Sequence, residues 1–351
     1  MGSGLLGTSI GLGLRDHGVD VVIDDASPSA RRLALDYGAG RAPAKGDDPG
    51  LIVVAVPPDV TAEVVARELE RFPRALVTDV ASVKVGPLRE LRAAGADLSR
   101  YLGSHPIAGR ERGGAVSARA DLFVGRPWIL AGHDDISYRR AAPIEDMILD
   151  LGAIPIEMDA EAHDRSVALV SHAPQLVASL LAARLSAGSE NALSLAGQGL
   201  RDTTRIAGSH PELWVQILAA NAAEVAAVLA PLRDDLDAVL EALRDPEAAG
   251  ARRRIAETLA AGNSGVARIP GKHGRDDRFA SLVVQVADRP GELARLLTEI
   301  GEEDVNMEDL RLEHSPGAQI GFAEIAVLPE AAHRLAAALE TRGWTLAEAD
   351  R

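Results

Sequence analysis

Over residues 1–157 the apolar positions cluster into short runs set between polar stretches of helical spacing. Runs 19–23, 51–56, 75–78 and 128–131 are β-prone, and Arg/Glu/Ala-rich segments such as 59–71 lie between several of them. That alternation predicts strands and helices in turn around a parallel α/β sheet. A last short run, 153–158, closes the block.

The pattern changes over 158–266, where β-prone runs nearly vanish and the spacing becomes helical. Within 221–243, Leu229, Leu232, Leu236, Val239, Leu240 and Leu243 recur at intervals of three and four. This puts them on one apolar stripe. A long stripe with no evident covering segment predicts burial against a second subunit, hence a homodimer through this block. Gly and Arg with Pro270-Gly271 break the pattern, and 267–279 reads as a linker. From 281 the order is strand (281–287), turn (Asp288-Arg289-Pro290-Gly291), helix (292–300), strand (305–314), turn (315–317), strand (320–328), helix (330–342) and a short strand. That βαββαβ order predicts a ferredoxin-like unit over 280–351.

Length and composition narrow the function class. A chain of 351 residues, 47% hydrophobic, suffices for two or three domains. Its net charge of −15 argues against a nucleic-acid-binding protein. No cysteine is present, which removes disulfides and thiolate chemistry and fits a reducing, cytoplasmic setting. No apolar run approaches the roughly 20 residues of a membrane span, and no signal peptide is expected. The nine histidines are scattered, so no metal site is expected. Lysines number only three, Lys45, Lys84 and Lys272, against a large excess of arginine.

Gly2-Ser3-Gly4-Leu5-Leu6-Gly7 has the spacing G-x-G-x-x-G, and 8–15 continues as a helix. Gly2 and Gly4 would let the backbone turn tightly against a pyrophosphate, and Gly7 would let the helix pack close to the sheet. Asp24-Asp25 follows the next strand, where a carboxylate binds a ribose 2′-hydroxyl and favours NAD over NADP. Val56-Pro57, after the run 51–56, is expected beside the same cofactor. The motif should follow a strand, yet only Met1 precedes it. The first strand is therefore expected to be missing, with upstream codons supplying a short β-prone segment.

Four further segments make the chain resemble the prephenate dehydrogenase family. They are Thr78-Asp79-Val80-Ala81-Ser82-Val83-Lys84; Gly103-Ser104-His105-Pro106-Ile107-Ala108-Gly109-Arg110-Glu111; Val170-Ser171-His172-Ala173-Pro174; and Arg201-Asp202-Thr203-Thr204-Arg205-Ile206-Ala207 with Trp214 beyond. Asp288-Arg289-Pro290-Gly291-Glu292-Leu293-Ala294 with Val305-Asn306 resembles an ACT domain. The resemblance implies a Rossmann-type NAD-binding domain (1–157), an all-α substrate and dimerisation domain (158–266) and an ACT regulatory domain (280–351). It also implies NAD-dependent oxidative decarboxylation of prephenate to 4-hydroxyphenylpyruvate, with arogenate as the near alternative.

In that setting His105, on a loop after a strand, is the expected base that takes the hydroxyl proton as hydride leaves, since imidazole titrates near neutrality. Ser82 is expected to bond the same hydroxyl and orient His105; a helix N-cap is its other reading. The substrate is a dianion, so an acidic protein needs local cations. Arg205 is expected to clamp a carboxylate bidentately. Arg201, one helical turn earlier, would share its face. His172 is expected at the substrate's side chain, Trp214 in the pocket wall and Glu111 near the entrance; core or solvated roles are the plainer alternatives for these. Lys84 is expected to brace the cofactor loop. By resemblance, Asp288, Gly291 and Asn306 bind an effector, tyrosine foremost. A non-catalytic NAD or amino-acid sensor is the competing class. A small-hydroxy-acid dehydrogenase is disfavoured because 158–266 holds no lysine.

Overall fold

The computed structural model describes residues 1–108, 113–269, 279–314 and 320–347. Two compact units emerge: Met1–Ser189 with Thr203–Arg233, and Glu190–Asp202 with Asp234–Arg351.

The first unit begins with α1 (Leu5–Asp16), α2 (Pro28–Asp36), β1 (Leu51–Val54), α3 (Pro58–Arg71), β2 (Leu76–Asp79) and α4 (Val85–Ala93). It continues with β3 (Gly103–Pro106), β4 (Pro127–Gly132), α5 (Tyr138–Asp150) and β5 (Ile154–Asp159). β1 pairs in parallel with β2, and β4 with β5, but β3 runs antiparallel to β4. The sheet is therefore mixed rather than wholly parallel. A bridge between Val77 and Tyr101 and the bond from Leu102 N–H to Val77 O carry it from β2 to β3. Period-two alternation sends the side chains of β1 to opposite faces. Leu51 and Val53 pack with Ile10, Trp128, Ile144 and Ile148, while Ile52 and Val54 pack with Val65, Leu69, Leu88 and Leu91. Both faces are thus covered by helices, as in doubly wound α/β sheets.

The expected strand over 19–23 is not formed as a ladder. It pairs at one bridge, Val22 with Arg41, through Ile23 N–H to Arg41 O and Arg41 N–H to Val21 O. Its other edge reaches β1 only through the first two residues. Gly2 N–H donates to Asp24 O, Ala55 N–H to Met1 O, and the Met1 amine to Val53 O at 2.8 Å. Beyond this bridge a slot of about 840 Å³ separates Val21, Val22 and Ile23 from Leu51 and Val53, with Ile10 and Leu14 on one side and Glu68 and Phe72 on the other. Burial there pushes the Met1 amine below its ordinary value. Peptide-bonding Met1 to roughly five to seven β-branched apolar residues, the usual strand length, would remove the buried amine and fill the slot. Such an extension should raise the thermal midpoint by about 5 °C or more; an unchanged midpoint would show that the slot does not accept a strand.

α6 (Ala160–Val167) and α7 (Ala173–Leu185) are joined by a π-helical turn, Ala168–His172. Contrary to the sequence expectation, the continuous run Ala160–Leu185 is long and apolar enough to cross a membrane, by length and composition. A third of its most apolar window is buried in the fold, and His163, Asp164 and His172 of the run are hydrogen-bonded. Next come α8 (Glu190–Leu193), α9 (Gln198–Thr204), α10 (Pro211–Ala220), α11 (Ala222–Arg244) and α12 (Ala251–Val266). α10 packs on α3, and the 3₁₀ turn Arg205–Gly208 packs on α7. On α11, Leu232, Leu236, Leu240 and Leu243 of the apolar stripe stay exposed.

The rest of the second unit is β6 (Ala280–Ala287), α13 (Glu292–Glu302), β7 (Met307–His314), β8 (Ile320–Val327), α14 (Pro329–Thr341) and β9 (Thr345–Ala347). The antiparallel sheet has order β7-β8-β6-β9. Each helix connection therefore skips a strand, the arrangement of a ferredoxin-like unit. One sheet face and both helices form a core of Val284, Ile325, Leu296, Ile300, Leu335 and Leu339. Trp344 closes it: its Nε1–H donates to Glu299 at 2.6 Å, and the Arg295 guanidinium lies 3.9 Å from its ring centre.

Candidate active site

The glycine turn is built for close approach. Gly2 has φ +89°, and a Cβ there would meet Ala55 O at 2.3 Å. A Cβ on Gly7 would meet Gly2 O at 2.0 Å, whereas nothing lies within 4 Å of one on Gly4. Gly2 and Gly7 thus close the turn, and Gly4 leaves open space before α1. No side chain caps α1, so its first amides are available to an anion. Asp25 accepts from Ser3 N–H (2.6 Å), Ser3 Oγ (2.8 Å) and Ser27 N–H (2.7 Å). Burial raises its pKa, but these bonds prevail and hold it below the ordinary value. Asp24 instead pairs with Arg31 at 3.0 Å. Val56 stands beside Gly2, and Pro57 caps α3. The turn, the open helix end and an ionised Asp25 fit a dinucleotide.

A buried polar network ties the end of β2 to β3. Lys84 Nζ, 1% exposed, donates to the Asp79 carboxylate and, at 2.7 Å, to Ser104 O. The Tyr101 hydroxyl donates to Asp79 Oδ2 at 2.7 Å. Ser104 Oγ accepts from Thr78 Oγ1 and Trp128 Nε1, both at 3.0 Å, and donates to Asp79 O at 2.9 Å. Burial pushes the Lys84 ammonium below its usual value while Asp79 opposes. Lys84 therefore braces β3 next to His105, inside the sheet.

His105 lies within β3, not on a loop after a strand. Pairing with Ile129 of β4 fixes its backbone. Its Nδ1 is 2.9 Å from His163 Nε2, and His163 Nδ1 is 2.7 Å from Asp164 Oδ1. Burial, then His163, Lys84 and His172, hold the His105 pKa well below 6.5. The imidazole is thus a neutral base at neutral pH. Ser82 is half-buried between β2 and α4 and is not the cap of α4. Asp164 takes that part: it accepts Lys84 N–H at 2.8 Å and Val85 N–H at 3.0 Å.

His172 ends the π turn, where such irregularities often serve function. Its Nδ1 accepts from Asn221 Nδ2 at 3.1 Å, and Trp214 on α10 stands edge-on to it, ring centres 6.2 Å apart. Asn221, between α10 and α11, also donates to Asp164 O at 2.8 Å, which links that junction to α6. Burial pushes His172 down to about 4. Arg205 opens the 3₁₀ turn and is exposed. Arg201 is exposed on α9, in the second unit. Because the α-helix ends at Thr204, the expected one-helix pairing of Arg201 with Arg205 does not hold. Glu111 and Lys272 lie outside the described residues. In the second unit the turn through Asp288 is exposed, Gly291 has φ +91°, and Asn306 donates to Glu308 at 2.9 Å.

Sequence reading passed over His163, Asp164 and Asn221. The only local signal was an adjacent His163-Asp164 pair nine residues before His172.

Two family patterns match in succession: the prephenate dehydrogenase nucleotide-binding domain over residues 10–156 and the prephenate dehydrogenase dimerization domain over 159–260. The chain is 40% identical to a probable prephenate dehydrogenase, NovF, of Streptomyces niveus, over 98% of this chain and 97% of that protein. It is 25% identical to prephenate dehydrogenase of Bacillus subtilis, over 89% and 86% of the two chains. Prephenate dehydrogenase of Aquifex aeolicus, solved with hydroxyphenyl propionate and NAD+, shares the fold at TM-score 0.65 and 24% identity, over 75% of this chain and 96% of that one. With its nucleotide-binding turn, its helical second domain and a near full-length relative, this chain belongs to the prephenate dehydrogenase family.

Proposed function

We propose that the protein oxidatively decarboxylates prephenate to 4-hydroxyphenylpyruvate, with NAD as cofactor. The observation that carries the reading is His105: a desolvated, neutral imidazole fixed on a strand beside His163 and His172. NAD, bound at the Gly2–Gly7 turn, supplies the hydride acceptor. His105 Nε2 takes the proton from the substrate hydroxyl as the carbinol C–H pair leaves. The ring carboxylate departs as CO2, its bonding pair completes the aromatic ring, and the proton held on His105 Nε2 returns to the ring oxygen to give the phenol. Ser82 binds the same hydroxyl. Arg205 meets a carboxylate of the dianion, while His172 and Trp214 border the substrate.

We assign 1–157, 158–266 and 280–351 to cofactor, dimerisation and ACT domains, joined by a linker at 267–279. The exposed leucines of α11 support a homodimer, and the β7-β8-β6-β9 sheet supports the ACT reading. In that unit Asp288, Gly291 and Asn306 take tyrosine as a feedback inhibitor, in a cytoplasmic enzyme.

The test is NAD reduction with prephenate and arogenate offered separately, each with and without tyrosine. Prephenate should be oxidised at the higher kcat/KM, with tyrosine lowering the rate. Preference for arogenate would reassign the substrate; turnover of neither would end the reading. Indifference of both rate and thermal midpoint to tyrosine would remove the effector.

A further inference from the structure

Three side chains stand in line behind the reacting position. Asp164 Oδ1 is 2.7 Å from His163 Nδ1, and His163 Nε2 is 2.9 Å from His105 Nδ1. The carboxylate also accepts two backbone amides of α4, so it acts toward His163 as an acceptor. The proton of that contact therefore sits on His163 Nδ1. A neutral imidazole protonated there carries its lone pair on Nε2. The second contact then requires His105 to donate from Nδ1. That leaves the lone pair of His105 on Nε2, which makes no hydrogen bond among the described residues.

A lone imidazole in water exchanges between two tautomers, and only one presents a base at Nε2. Here the exchange is opposed. If His105 were protonated on Nε2 instead, two lone pairs would face each other across 2.9 Å. His163 cannot turn to relieve this, because its ring is fully buried and its other nitrogen is held by Asp164. We propose that His163, backed by Asp164, is a positioning residue that holds His105 in the Nδ1–H tautomer, so that Nε2 is the atom available to the substrate's hydroxyl proton. The proposal rests on His105 being the base. When the substrate O–H bond breaks and Nε2–H forms, the Nδ1–H bond to His163 becomes charge-assisted and shorter. His163 is thus arranged to strengthen its support as charge develops on His105.

The experiment pairs ring-nitrogen NMR of histidine-labelled full-length protein with steady-state kinetics. The wild-type spectrum should show His105 protonated on Nδ1. His163→Leu removes the acceptor. It should release His105 to a tautomer mixture and lower kcat by about 10- to 100-fold, a share of the 10² to 10⁴ that a general base contributes, with KM for prephenate within about twofold. His163→Gln places an amide oxygen near the lost Nε2 and should restore most of kcat. A wild-type His105 protonated on Nε2 overturns the proposal even if both variants fail to fold. So does a folded His163→Leu with normal kcat, or a Gln variant no better than Leu. A normal rate in His105→Asn sinks the base assignment instead, while leaving the tautomer assignment to the spectrum.

Discussion

His105→Asn should cut turnover by about 10²-fold or more while leaving NAD affinity within a few-fold of wild type. Asn can hold a hydrogen bond at the Nδ1 position but offers no base at the place of Nε2. The loss should fall on kcat, with KM little changed, because proton removal is felt in the transition state. Fluorescence titration with NAD and initial rates on prephenate separate the two effects, and an unimpaired kcat would remove His105 from the mechanism. The wild-type pH profile gives a second readout. Burial holds His105 well below 6.5, so the rate should not fall as pH drops through 6.5 in the way an exposed histidine base would require. The same shift has a stability consequence. Below 6.5 the unfolded chain binds a proton at this residue that the folded chain does not, so stability decreases as pH falls through that value.

Lys84→Met should destabilise the first unit by about 3–5 kcal/mol, the cost of breaking a buried ion pair from one side. Asp79 is fully buried and would keep only Tyr101 and the Ala81 amide as donors. Ser104 O would lose its bond from Nζ as well. Because Ser104 adjoins His105 on β3, turnover should fall even in the fraction that stays folded. The double variant Lys84→Met with Asp79→Asn removes the orphaned charge and should recover more than half of the lost stability. Urea unfolding of the three proteins measures this; a single variant as stable as wild type would mean that Lys84 contributes nothing net. The placement also explains why a lysine persists in a chain that otherwise prefers arginine. A guanidinium would not fit the compact site between Asp79 and Ser104 O, where a point charge with three donors does.

Much of the architecture was legible in local pattern. Apolar period placed β1, β2, β4, β5 and the helix α3 to within a few residues. The C-terminal order was readable because turn residues such as Pro290-Gly291 punctuate it. Where the reading failed, the cause was non-local. Residues 19–23 have strand composition, but a strand needs partners on its edges, and here one edge faces a slot. The segment holding His105 has the small residues and proline of a loop, yet β4 recruits it as a strand. Arg201 and Arg205 have helical spacing, but Arg205 falls in a tighter turn packed on α7.

By itself the sequence determined what its own neighbours enforce: the glycine turn, the alternation of strands and helices, and the chemistry available at His105, Ser82 and Arg205. These depend on backbone sterics and on which face of an element is apolar, both local properties. Only the tertiary structure decided which side chains meet. His163 reaches His105 from 58 residues away, and Asp164 caps α4 from 80. Sequence spacing carries no information about such encounters, because packing of α6 against α4 and β4 sets the distance, and desolvation at that contact turns an ordinary histidine into a neutral base.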